Sequence, residues 1–169
     1  GNNIQDPGEK VTLFGDFVNY PIQSKEINIY GPVSLLSCIQ NKISSIDISN
    51  NVQNLTQLYC ANNLIEKLDL TRNQRLSLLS CFNNELTSIQ VGINNRLRTI
   101  NIHSNSIDNN NMLEFVNSLS AQDETKPGVI TITSSNKKEQ NIVSKRTVQI
   151  LKDKGWKIEK LVNNKKQEM

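Results

Sequence analysis

From residue 33 to residue 107, apolar side chains recur in pairs two positions apart, and each pair is followed three residues later by Asn. Leu36-Ser-Cys38-Ile-Gln-Asn41-Lys-Ile43 sets the frame. It returns as Leu58-Tyr-Cys60 to Asn63, as Leu79-Ser-Cys81 to Asn84, and as Ile100-Asn-Ile102 to Asn105. Between these lie half-repeats with the same grammar: Ile46-Asp-Ile48 to Asn51, Leu68-Asp-Leu70 to Asn73, and Ile89-Gln-Val91 to Asn94. The Asn positions 41, 51, 63, 73, 84, 94 and 105 step by 10, 12, 10, 11, 10 and 11, so two frames make one period of about 21 residues.

Strand side chains alternate in direction, so the two apolar residues of each frame fall on one face of a short strand. The Asn stands where the strand ends and the chain must turn. There its amide can satisfy backbone groups that the turn leaves unpaired. The frame therefore predicts a structural ladder of Asn41, Asn51, Asn63, Asn73, Asn84, Asn94 and Asn105. Cys38, Cys60 and Cys81 recur one period apart at an inward position, which predicts buried, unpaired thiols that pack as small hydrophobes.

The flanks obey different patterns. Upstream, Val11-Thr-Leu13 and Ile27-Asn-Ile29 read as strands of a degenerate first unit. Downstream, Met112, Phe115, Val116 and Leu119 have helical spacing within residues 109–120. Val129–Thr133 reads as a strand. Asn136 with Glu139 reads as a capping box that opens a helix through Ile142, Val143, Ile150 and Leu151. Gly155 is expected to stop that helix, and Trp156-Lys-Ile158 to return as a final strand. Three segments of one domain follow: an N-terminal cap over 1–32, the repeats over 33–108, and a C-terminal helix–strand–helix–strand cap over 109–169.

The repeat frames resemble the leucine-rich repeats of Bacteroides-type surface proteins, whose nested unit reads roughly LxxLxCxxNxLxxLDLSxN. Asp47-Ile48-Ser49 and Asp69-Leu70-Thr71 match the LDLS part, and the three cysteines match the Cys position. The chain departs from the pattern at Ile102, which replaces Cys, and at Gln90-Val91-Gly92, which replaces DLS. The resemblance implies an α/β fold, a right-handed leucine-rich-repeat solenoid of about three and a half turns with an N-terminal β cap and a C-terminal α/β cap. It also implies an extracellular or cell-surface setting.

Charge and composition alter this picture little. Residues 1–124 carry 8 Lys/Arg against 12 Asp/Glu, and residues 125–169 carry 11 against 4. The basic end is expected to be a solvated helix face and a frayed Lys-rich terminus rather than a nucleic-acid surface. No apolar run approaches the roughly 20 residues of a membrane helix. The opening residues lack the apolar stretch of a signal peptide. With one histidine, no clustered cysteines and no GxSxG, HExxH, P-loop or GxGxxG motif, the chain is expected to carry no cofactor, metal or catalytic set.

What remains is the outward face of the Cys-bearing strands, where Leu35, Ile39, Tyr59, Leu78, Phe82 and His103 form an apolar and aromatic cluster. The opposite face, with Asp47, Asp69 and Gln90, is polar. The expected function is non-enzymatic: a rigid surface for protein–protein interaction or adhesion. Two alternatives stand beside it, a structural spacer in a larger surface protein and a glycan-binding module using Tyr59 and Phe82.

Overall fold

The computed structural model describes residues 32–50, 53–93 and 95–169, all within the compact unit Pro32–Met169. The expected strands at 11–13 and 27–29, and the ladder positions Asn51 and Asn94, lie outside the described residues.

Each full frame forms a three-residue strand: β1 (Leu35–Ser37), β2 (Gln57–Tyr59), β4 (Leu78–Ser80) and β6 (Thr99–Asn101). The second and third half-repeats form β3 (Lys67–Leu70) and β5 (Ser88–Val91), which pair with each other alone, whereas Ile46-Asp-Ile48 forms no strand. After helix α1 (Asn109–Ser118) come strand β7 (Gly128–Ser134), helix α2 (Lys145–Asp153), and strands β8 (Trp156–Val162) and β9 (Lys165–Glu168).

Seven of these strands make one sheet in the order β1-β2-β4-β6-β7-β8-β9, parallel throughout except for the β8–β9 pair. Its inward row runs in register from Leu36 through Leu58, Leu79, Ile100 and Ile130 to Ile158. All of these but the first are fully buried. Stacking side chains of similar shape across adjacent parallel strands removes a continuous apolar row from water, which a single strand cannot do.

This architecture corrects the expected solenoid of about three and a half turns with a separate C-terminal cap. The described residues form a mixed α/β fold built on one seven-stranded sheet, with a two-stranded sheet and two short helices packed with it. The physical reason lies in the C-terminal segment. Its apolar strands continue the sheet directly, with Ile130 opposite Ile100 and Ile158 opposite Ile130, so no separate C-terminal cap forms. Among the described residues the half-repeats contribute only the β3–β5 pair.

Local chemistry explains the remaining elements. Helix α1 begins where the Asp108 carboxylate accepts from the Asn111 N–H at 2.8 Å, and it buries Met112, Phe115 and Val116. At its other end the Lys154 ammonium donates to the carbonyls of Val116, Asn117 and Leu119 at 3.2, 2.5 and 2.6 Å. It thereby satisfies carbonyls that the helix leaves unpaired.

Helix α2 starts later than the capping-box reading placed it. Its cap is Ser144, whose hydroxyl accepts from Thr147 N–H at 3.2 Å. Ile142 lies before it and is exposed, while Glu139 serves elsewhere. Gly155, at φ +74°, ends the helix as expected.

The final strand is not Trp156–Ile158 alone. Asn163 and Asn164, at φ 49° and 61°, make a tight turn that sends β9 back along β8. The terminus expected to fray is thus paired. Gly92 also acquires a reason for replacing the Ser of the repeat pattern, because a Cβ there would collide with the Thr71 carbonyl oxygen.

Candidate functional site

On the outward face of the large sheet, Leu35, Gln57, Leu78 and Thr99 stand in one register row, and Ser37, Tyr59, Ser80 and Asn101 in the next. Leu35 is 50% exposed and Ile39 39%. Tyr59, Leu78 and Phe82 are half-buried, and the Tyr59 hydroxyl lies 3.0 Å from Gln57 Oε1. Five of the six residues expected to form the outward cluster therefore keep accessible surface. Ala61, which the alternation also places outward, is fully buried.

His103 is the exception among the six. It is only 6% exposed, with its ring stacked on Phe82 at a centroid distance of 4.9 Å and an interplanar angle of 24°. Its Nδ1 lies 2.9 Å from Ser104 Oγ, which is 3.0 Å from Ser134 Oγ. Burial, and then the positive Lys166, hold the imidazole below the ordinary histidine range, so it is neutral at pH 7. The alternation of the frame placed His103 on the outward face. The sheet continues past β6 through β7, β8 and β9 and encloses it.

That continuation creates a cleft of about 310 Å³, lined by the Phe82–His103 stack together with Asn62, Asn83, Asn101 and Thr131. Leu161 and Lys166, from the β8–β9 hairpin, line it as well. Asn83 Nδ2 donates to Asn62 Oδ1 at 2.7 Å. Both residues adopt positive φ, 58° at Asn62 and 53° at Asn83, a conformation Asn tolerates better than most side chains. Lys166 is paired to Glu159 Oε2 at 2.8 Å, and that carboxylate oxygen also accepts from Thr131 Oγ1 at 3.2 Å.

Beneath the face runs the Asn ladder. Asn63 Oδ1 accepts from the N–H groups of Asn41 and Ile43 at 2.9 and 3.0 Å, while its Nδ2 donates to Cys38 O and Cys60 O at 2.8 and 3.0 Å. Asn84 and Asn105 repeat the pattern one and two units on. Asn73 donates to Ile48 O at 3.0 Å. Asn41, at the start of the series, is exposed, and its Nδ2 reaches only Ile39 O.

Two further ladder members escaped the frame. Asn95 is buried and donates to Gly92 O and Ser118 O, both at 2.9 Å. Asn141 occupies the position after Asn105, accepting from Ile107 N–H and donating to Ile102 O and Ile132 O. Beside it the Glu139 carboxylate accepts from the N–H groups of Ser104 and Asn141 at 2.7 and 2.9 Å. In the preceding units the matching donors, Asn62 and Asn83, reach a carbonyl of the next repeat. Ser104 has no such repeat beyond it, so Glu139 takes its N–H. Burial pushes the Glu139 carboxyl above the usual range, against the pull of these hydrogen bonds.

The thiols divide. Cys60 and Cys81 are fully buried, but Cys38 is half-buried, which corrects the expectation of three equally buried groups. It directly follows β1, the outermost described strand at that end of the sheet, and so has a stacked neighbour on one side only among the described residues. Burial nevertheless pushes the Cys38 thiol up to about 12. Cys81 is raised too, by its contact with Cys60 and by burial, so neither Cys38 nor Cys81 is a nucleophile at neutral pH.

Asp47 and Asp69, on the polar side, are exposed turn formers. Asp47 Oδ1 accepts from Ser49 N–H, and Asp69 Oδ1 from Thr71 N–H and hydroxyl. These bonds hold both carboxyls below the usual range. Among the described residues no group of three His, Cys, Asp or Glu side chains is placed to hold a metal ion. No described helix is long and apolar enough to cross a membrane. Comparison with known proteins returned no matching family model, curated protein or solved structure.

Proposed function

We propose that this chain is a non-enzymatic binding module that presents the outward face of its large sheet to a protein partner. The observation that carries the reading is the run of apolar side chains along neighbouring strands, led by the exposed Leu35 and Ile39 and continued by Tyr59 and Leu78. Parallel strands lie about 4.8 Å apart, so these side chains merge into one patch. Large apolar and aromatic groups held on a rigid sheet lose little conformational entropy on binding.

An enzymatic reading has less behind it. The single histidine is neutral, enclosed and hydrogen-bonded to the Ser104 hydroxyl, while two of the three thiols are sealed in the core. A setting outside the cell follows from the resemblance of the Leu-x-Cys-x-x-Asn frames to bacterial surface proteins. Loss of partner binding in Leu35→Ser and Tyr59→Ala, with the thermal midpoint unchanged, tests the proposal. A partner that binds both variants as it binds the wild type removes this face from the function.

A further inference from the structure

The cleft beside Phe82 differs in chemistry from the apolar patch and points to a different ligand. Its polar lining is dominated by amides. The Asn62–Asn83 bond uses one oxygen and one nitrogen, which leaves Asn62 Nδ2 and Asn83 Oδ1 without a partner among the described residues. Asn101 makes no side-chain hydrogen bond among the described residues, and its Oδ1 is buried and unsatisfied. The buried Asn101 Oδ1 is the costly one of these, and the half-buried Asn62 and Asn83 amides keep capacity that a ligand can use.

Charge is balanced in the same place. Lys166 is neutralised by Glu159, and His103 is uncharged at pH 7. The cleft therefore offers paired donors and acceptors, an aromatic surface and no net charge. Its volume of about 310 Å³ lies at the small end of ligand pockets.

We propose that this cleft binds a neutral saccharide, a hexose or the end of a short oligosaccharide, packed against Phe82 and hydrogen-bonded to Asn62, Asn83 and Asn101. Sugar hydroxyls both donate and accept, as amides do, and the apolar C–H face of a pyranose ring packs on an aromatic face. Among the described lining residues an acidic sugar finds no unpaired cation, because Lys166 already holds the Glu159 carboxylate. The site does not depend on the protein-binding face: Tyr59 does not line it, and Leu35 belongs to the far strand of the sheet.

The test is a titration of the full chain with neutral oligosaccharides of gluco, galacto, manno and N-acetylhexosamine type, followed by two-dimensional NMR. Shifts centred on the side-chain amides of Asn62, Asn83 and Asn101 and on the His103 ring are expected for at least one sugar. Asn101→Ala and Phe82→Ala should each weaken that sugar tenfold or more, and Tyr59→Ala should leave it unchanged. If a variant fails to fold, the wild-type shift map decides alone. No shift at these residues with any sugar overturns the proposal, as does binding confined to acidic sugars or extended peptides, or wild-type affinity in folded Asn101→Ala.

Discussion

Asn105 and Asn141 share one acceptor: each side-chain Nδ2 donates to the Ile102 carbonyl oxygen at 2.9 Å. Although 36 residues apart in sequence, they are successive rungs of one column. Replacing either by Ala leaves buried backbone groups unsatisfied, at a cost of about 1–3 kcal/mol. Asn141→Ala should lower the denaturation midpoint as much as Asn84→Ala does, and Asn41→Ala, at the exposed end, much less. Equal effects at all three positions would show that the hydrogen bonds of the column do not set stability.

Lys154 joins the two helices chemically. Its ammonium satisfies three carbonyls at the end of α1, although burial lowers its pKa and so opposes the charge. Lys154→Met keeps the stem and removes the donors, and should cost about 1–2 kcal/mol in equilibrium unfolding. An unchanged midpoint would mean that water serves the helix end equally well.

Native thiol labelling should be ordered. Cys38, half-buried just after the outermost described strand, reacts before Cys60 and Cys81, and slowly, because its thiol is pushed up to about 12. Denaturant should release all three. Rapid native labelling of Cys60 or Cys81 would contradict the sealed core.

His103 has its folded pKa below the ordinary 6.5. The unfolded chain therefore takes up a proton first as pH falls, so the stability this residue contributes is complete above 6.5 and declines below it. Glu139, raised above 4.5, acts in the opposite sense, since its penalty fades as pH falls. The difference between wild type and His103→Gln isolates the histidine. Wild-type stability should fall relative to the variant between pH 7 and 5, and parallel profiles would contradict the buried, neutral imidazole.

Periodicity made the repeat strands legible, because alternation and the Asn spacing are written into each frame. Helix α1 was legible from Met112, Phe115 and Val116. The architecture was not, because nothing local to Val129–Thr133 or Trp156–Ile158 says that these strands join the repeat sheet instead of capping it. Asn141 was hidden for a related reason: it stands nine residues after Ile132, where the repeat spacing is three. The Asn163-Asn164 turn, by contrast, was a readable hairpin signal that a Lys-rich composition obscured. His103 was misplaced because its enclosure depends on strands that lie after it in the chain.

Binding by the outward sheet face is most directly tested by surface plasmon resonance of the full chain over a panel of purified extracellular-matrix proteins. The wild type should bind at least one of them. Leu35→Ser combined with Tyr59→Ala should weaken that complex at least tenfold, about 1.4 kcal/mol or more, while keeping the wild-type unfolding midpoint. No binding to any member of the panel, or wild-type affinity in the folded double variant, would contradict the account.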